Sequence, residues 1–233
     1  METTTTTSAS AEQRLDENAN RLPEGFFPKP QQDVSMDQAG LNKGQHKRRI
    51  IVIAYDHSNY SDAMIAKAIH LSLINPTDDI RLINVVSQSD YRTMFSSMLS
   101  SQQTSGIHEV SHNDTIVHDA ADAMLWEIIK TLKQSGFENV SSEVLQGDPK
   151  ASITDFCRIV KPAYLLTGSR GLGAVKRAVL GSVSSYLTKH CPCPVLVIKL
   201  DNEEIEARKE LHKKKEISLV GIMNNYKFNN SLK

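Results

Sequence analysis

The sequence predicts an α/β protein built on a single doubly wound open sheet of five parallel strands, Rossmann-like in plan. Three observations predict it. Short runs of β-branched residues recur along the chain, amphipathic segments of helical period lie between them, and the joints carry Gly, Pro, Asn or Asp. Strand–helix–strand alternation requires right-handed crossovers, and such crossovers set neighbouring strands parallel.

The elements follow in order. Residues 1–46 open on a threonine run and continue polar, without period-2 or period-3.6 patterning, and are expected to form a disordered tail. Phe26 and Phe27, set among prolines, are its one apolar interruption. The domain runs from 47 to 200. Ile50 to Ala54 is a strand of the kind buried on both faces. Ile65, Ala68, Ile69 and Leu73 form a helical stripe ended by Asn75-Pro76, and Ile80 to Val86 is the second strand. Residues 87–115, rich in Ser and Gln, read as an inserted loop with room for one short helix. Ala121, Met124, Leu125, Ile128, Ile129 and Leu132 make the clearest amphipathic helix, with Trp126 off its centre as a packing residue.

Val140 to Leu145 is a third strand, and Gly147-Asp148-Pro149 supplies an N-cap with proline at the first helical position. Ile153, Phe156, Cys157 and Val160 are the buried stripe of that helix. Ala163 to Thr167 is a fourth strand; Val183, Tyr186 and Leu187 begin a further helix, and Pro194 to Leu200 is the fifth strand. From 201 to 233 a helix dense in Glu and Lys passes into a disordered tail, with Lys213, Lys214 and Lys215 expected on a solvated face.

Composition excludes several classes. Lys plus Arg and Asp plus Glu number 27 each, so no global charge favours nucleic acid. Three cysteines, an odd number, fit a reducing compartment, and a cytoplasmic location is expected. No apolar run nears the roughly 20 residues of a membrane helix, and METTTTTSAS lacks the pattern of a signal peptide. Cys191-Pro192-Cys193 is tighter than the usual zinc spacing and has no second pair, and His108, His112 and His118 share no helical register, so no metal site is expected.

In an open parallel sheet the ligand crevice lies beyond the carboxyl ends of the strands, where the winding reverses. Tyr55-Asp56-His57-Ser58 follows the first strand; Gly168-Ser169-Arg170-Gly171-Leu172-Gly173 follows the fourth, with Gly181-Ser182 opening the next helix. Glycines allow close approach of the main chain, and free N–H groups at Gly181, Ser182 and Val183 suit an anion such as phosphate. Arg170, Lys176 and Arg177 are cations within reach along the chain. Neither the Walker pattern nor the dinucleotide fingerprint is present.

The stretch GSRGLGAVKRAVLGSVSSYLTKHCPCPVLVI, residues 168–198, resembles the carboxyl-terminal half of the universal stress protein family. The spacing of its nucleotide-binding members, Gly, two residues, Gly, nine residues, Gly-Ser, is kept by Gly168, Gly171, Gly181 and Ser182. IIVIAYDHS and LINVV are similar to the family's first two strands, so the resemblance covers about 48–199. It implies a fold of the adenine nucleotide alpha hydrolase type and ATP accompanied by Mg or Mn. The implied binding residues are Ala54, Asp56, Val85, Gly168, Ser169, Arg170, Gly171, Gly181, Ser182 and Val183. It also implies a homodimer through the last strand, Val195 to Ile198. His57 departs from the family's glycine or small apolar residue, and Asn84 from its common histidine.

Three functions are compatible with these residues. The first is an ATP-binding regulatory switch of the stress response. The second is a slow ATPase or phosphoryl-transfer enzyme using Lys176 and Arg177, although Asp56 is the one carboxylate near the site. The third is a nucleotide-free interaction scaffold that docks through residues 87–115 and the tails.

Overall fold

The computed structural model describes residues 21–30, 48–86, 110–169 and 180–215. Five strands alternate with helices: β1 (Ile50–Ala54), α1 (Asn59–His70), β2 (Asp79–Val86), α2 (Val110–Gln134), β3 (Asn139–Gln146), α3 (Pro149–Val160), β4 (Tyr164–Gly168), α4 (Ser182–His190) and β5 (Val195–Ile198). A further helix, α5, spans 202–215. The strands form one sheet in the order β3-β2-β1-β4-β5, every pair parallel. The expected α/β fold class is the observed one.

Local chemistry starts the helices where the sequence places them. Ser58 caps α1 by accepting from the Ser61 N–H at 3.2 Å. Asp148 caps α3, accepting from the N–H groups of Lys150 and Ala151 at 3.0 Å each, with Pro149 at the first helical position, where its missing N–H costs nothing. Lys161 ends α3 in the left-handed conformation, φ 52°.

Burial on both faces explains the apolar runs. In β1, Ile51 and Ile53 point into one cluster with Ile65 and Ile69 of α1 and Leu125 and Ile128 of α2. Val52 points the other way, to Ile153 and Cys157 of α3 and Leu187 of α4. The two clusters are the two halves of a sheet covered by helices on both sides.

Four expectations are corrected. Residues 21–30 lie inside the stretch expected to be a tail, yet Leu22, Phe26 and Phe27 are buried against the α1 side of the core. Burial of the two phenyl rings is the apolar gain that opposes the entropy of ordering this segment. The guanidinium of Arg208 on α5 stacks 5.8 and 5.9 Å from their centroids and donates to the Phe26 carbonyl. Helix α2 begins at Val110, inside the expected 87–115 insertion, whose remainder, 87–109, lies outside the described residues. Trp126 is not a packing residue; it is 60% exposed. Lys215 is not solvated; it is wholly buried, whereas Lys213 remains on the surface beside Glu210. The expected disordered segments at 1–20, 31–46 and 216–233 fall outside the described residues.

Candidate functional site

Successive crossovers carry the chain from β1 to β2 and β3 on one side, then to β4 and β5 on the other. The winding reverses between β1 and β4, which is where a sheet of this kind forms its crevice, beyond the carboxyl ends of the strands. Ala54 and Asp56 stand at one lip, Gly168 and Ser169 at the other. Val85 lies on neighbouring β2, two residues beyond Ile83, the partner of Ala54.

Two tethers define the β1 lip. The Tyr55 N–H donates to the Ile83 carbonyl at 2.9 Å, and the Asn84 side-chain amide donates to the Tyr55 carbonyl at 2.9 Å. Asn84 thereby locks β1 to β2 just before the turn. Asp56 then organises the turn itself: its Oδ1 accepts from the Ser58 N–H at 3.1 Å and from the hydroxyls of Ser58 and Ser61 at 2.5 Å each. The aspartate is a turn carboxylate at the crevice lip, an Asx arrangement that aims the chain into α1.

The β4 lip is stitched to the start of α4. The Gly181 N–H donates to the Ser169 carbonyl at 2.8 Å, the Ser184 hydroxyl donates to the Gly168 carbonyl at 2.6 Å, and the Ser169 N–H donates to Ile198 of β5 at 2.9 Å. The connection between Ser169 and Gly181 therefore begins and ends within one hydrogen bond. Gly181 is the N-cap residue of α4 and provides no side-chain cap, and the first turn carries no acidic residue. Helices α1 and α3, by contrast, have side-chain caps. A Cβ at Gly181 would sit 3.5 Å from the Ser169 carbonyl oxygen, ordinary contact, and its φ is −67°, so neither packing nor backbone conformation demands glycine. Gly181 offers no side chain to the N–H groups at the start of α4, whose partial positive charge lies beside the β4 lip.

Behind the β1 lip lies a buried ionic network that the sequence reading does not anticipate. The Lys215 ammonium donates to both oxygens of Asp62 at 2.8 Å, to the Tyr55 hydroxyl at 2.7 Å and to the His57 carbonyl at 3.2 Å. The Tyr55 hydroxyl donates to Asp62 Oδ1 at 2.5 Å, and His212 Nδ1 lies 3.0 Å from Oδ2. Burial pushes the Asp62 carboxyl up, but Lys215, His212 and Tyr55 overcome it and hold the group below its ordinary range. Burial, reinforced by Asp62, pushes Tyr55 well up.

His57 is buried beside this network, and neither ring nitrogen has a hydrogen-bond partner among the described residues. Burial first, and the Lys215 charge second, lower it to about 3, so the ring is neutral at physiological pH. Its φ is 61°, the left-handed region in which glycine is at ease. A signal for the network exists in the sequence. Asp62 falls on the same stripe as Ile65 and Ile69, and Lys215 follows Leu211 by one helical turn, which sets opposite charges on two apolar faces.

Of the sequence-derived site residues, Ala54, Asp56, Gly168, Ser169, Gly181, Ser182 and Val183 are brought together around the crevice, with Val85 on the next strand. Arg170, Gly171, Gly173, Lys176 and Arg177 lie outside the described residues. The third free cysteine, Cys157, meets Cys191 and Cys193 on the opposite side of the sheet from the buried network. Sequence spacing could not pair it, because the contact depends on how α3 lies beside α4.

The fold defines a doubly wound α/β protein whose topological switch point lies between β1 and β4. Residues 47–199 match the model of the universal stress protein family, and the chain belongs to that family. A universal stress protein A-like protein of Arabidopsis thaliana is 43% identical over 58 residues, 25% of this chain and 33% of that relative. A putative universal stress protein of Staphylococcus epidermidis is 28% identical over 156 residues, 65% of this chain and 84% of the relative. Among solved structures, the hypothetical protein MJ0577 superposes with a TM-score of 0.52 at 21% identity, over 66% of this chain and 97% of its own, which is a likeness of fold. No helix among the described residues is long and apolar enough to cross a membrane.

Proposed function

We propose that the crevice binds ATP, with Mg or Mn, and that the protein is a nucleotide-dependent regulatory switch of the stress response, paired as a homodimer through Val195–Ile198. The single observation that carries this reading is the uncapped N-terminus of α4, held against the β4 lip at the point where the winding reverses. Main-chain N–H donors fit phosphate oxygens, and the glycine N-cap leaves room for them. In this reading Gly168, Ser169, Arg170 and Gly171 with Gly181, Ser182 and Val183 hold ribose and phosphates, while Ala54 and Val85 line the base. Mg or Mn is a hard cation that takes oxygen ligands from phosphates and water, with Asp56 the carboxylate at the lip.

A switch is favoured over hydrolysis by one observation. Asp56 spends Oδ1 on Ser58 and Ser61, so it serves the turn rather than acting as a base on an attacking water. The dimer reading is supported by the sheet order, in which β5 is an edge strand of apolar composition that needs covering. A cytoplasmic setting is supported by cysteines that are all free thiols.

The test is Gly181→Asp. An aspartate N-cap accepts from the same N–H groups that a phosphate would use, and relative to glycine is worth roughly a few tenths of a kcal/mol to the helix. The variant is expected to melt at or above the wild-type temperature and to lose Mg-ATP affinity by at least about 100-fold in calorimetric titration, since it adds repulsion to competition. Unchanged ATP affinity in a folded Gly181→Asp protein refutes the phosphate cradle.

A further inference from the structure

All three cysteines of the chain converge on the sheet face covered by α3 and α4, although Cys157 is separated from the other two by more than thirty residues of sequence. Their Sγ atoms all lie within 4.8 Å of one another, and those of Cys191 and Cys193 are 3.5 Å apart. Three thiolates around one zinc-like ion at about 2.3 Å stand roughly 3.8 Å apart in tetrahedral geometry, so the observed triangle needs adjustments of only a few tenths of an ångström to about one. The three sulfurs come from rigid places. Cys157 is anchored on α3, Cys191 is the C-cap of α4 with ψ 136°, and Cys193 stands just before β5. Pro192 and Pro194 flank Cys193, fix their own φ angles and keep Cys191 and Cys193 extended.

We propose that Cys157, Cys191 and Cys193 form a three-thiolate site for a soft divalent cation, zinc being the fit, with water in the fourth position. Three thiols release three protons on binding Zn2+, and the resulting centre carries one negative charge. Cu+ in the same triangle would leave two, which the apolar surroundings of Val52, Leu165 and Leu187 oppose. Cys157 is buried, whereas Cys191 and Cys193 are half-buried, so the fourth position opens towards solvent on their side.

Without a cation, burial raises the Cys157 thiol strongly, with Cys191 and Cys193 adding to the shift; burial and Cys191 raise the Cys193 thiol to about 11 against the opposing hydrogen bond with Cys157. Such groups are thiols rather than thiolates at neutral pH, poor nucleophiles toward peroxide, but a cation displaces their protons. Three sulfurs drawn together, where a disulfide would use only two, favour a cation over a disulfide switch. A bound ion would tie α3 to the junction of α4 and β5, and thus brace both the helix at the phosphate crevice and the edge strand. The site stands independently of the nucleotide reading.

The experiment titrates the reduced, full-length protein with Co(II) under argon, then displaces it with Zn(II) against a chromophoric chelator. The expected result is one equivalent of Co(II), with sulfur-to-metal charge-transfer and tetrahedral ligand-field bands that zinc abolishes. Cys191→Ser and Cys193→Ser, at half-buried positions, are expected to keep the wild-type circular dichroism and to lose zinc affinity by at least about 100-fold, more than the loss of an outer hydrogen bond to a ligand. Cys157→Ala is expected to do the same; should it fail to fold, the other two variants decide. Absence of the thiolate charge-transfer band, zinc affinity unchanged in Cys193→Ser, or Cu+ bound where Co(II) and Zn(II) are refused would each overturn the proposal. So would rapid loss of two thiols to mild peroxide with no metal bound.

Discussion

Replacing Lys215 with methionine removes an ammonium from the buried network while keeping most of the stem's volume. In the wild type both charges are out of water, with Lys215 at 0% and Asp62 at 1% side-chain exposure. At 2.8 Å and an effective dielectric of about 20, one such contact amounts to an attraction of about 6 kcal/mol before desolvation is subtracted. Breaking buried pairs by removal of one partner costs about 3–5 kcal/mol, because the remaining charge stays unsatisfied. Here Tyr55 and His212 still face Asp62, so the lower end, about 3 kcal/mol, is expected. Urea unfolding of the full chain at neutral pH, followed by far-ultraviolet circular dichroism, measures it. Adding Asp62→Asn to Lys215→Met removes the orphaned carboxylate and should restore about 2 kcal/mol of the loss, a coupling that a double-mutant cycle isolates. A Lys215→Met protein within about 0.5 kcal/mol of wild type would refute the reasoning, since an exposed lysine would behave that way.

The remaining predictions are shorter. Phe26→Ala should destabilise the protein by about 3–5 kcal/mol in the same assay, since its ring is 1% exposed in the core, and a negligible effect would mean that residues 21–30 do not dock. Acid should weaken the fold through His57. Its folded value of about 3 lies below its ordinary 6.5, so only the unfolded chain takes the proton between those values. Stability is therefore whole above about pH 6.5 and falls as pH drops towards 3, by at most about 1.4 kcal/mol per unit, and Asp62 adds loss of the same sign at lower pH. His57→Gln should flatten the urea midpoint between pH 7 and 5; an unaltered slope would count against a buried neutral imidazole. Val197→Lys, on the edge strand, should convert the proposed dimer to monomer in sedimentation velocity while leaving the proposed ATP binding in place.

Much of this protein was determined by local chemistry that any reader of the sequence can follow. Ile50 to Ala54 is apolar at every position because both faces of β1 are covered, Asp148-Pro149 starts α3 by capping, and strand–helix alternation leaves few topologies besides a parallel sheet. Gly181-Ser182 could be set at the mouth of the sheet for the same reason: strand ends and helix starts are local, and the crevice follows from their order. Tertiary structure alone decided the rest, because burial is a property of what lies opposite. Lys215 looks like its solvated neighbours Lys213 and Lys214 until α5 crosses α1 and meets Asp62. Phe26 and Phe27 sit in unpatterned sequence and become core because the first domain helix and α5 leave a place for two rings. Cys157 acquires two sulfur neighbours through the packing of α3 beside α4, a contact across more than thirty residues that no spacing rule encodes.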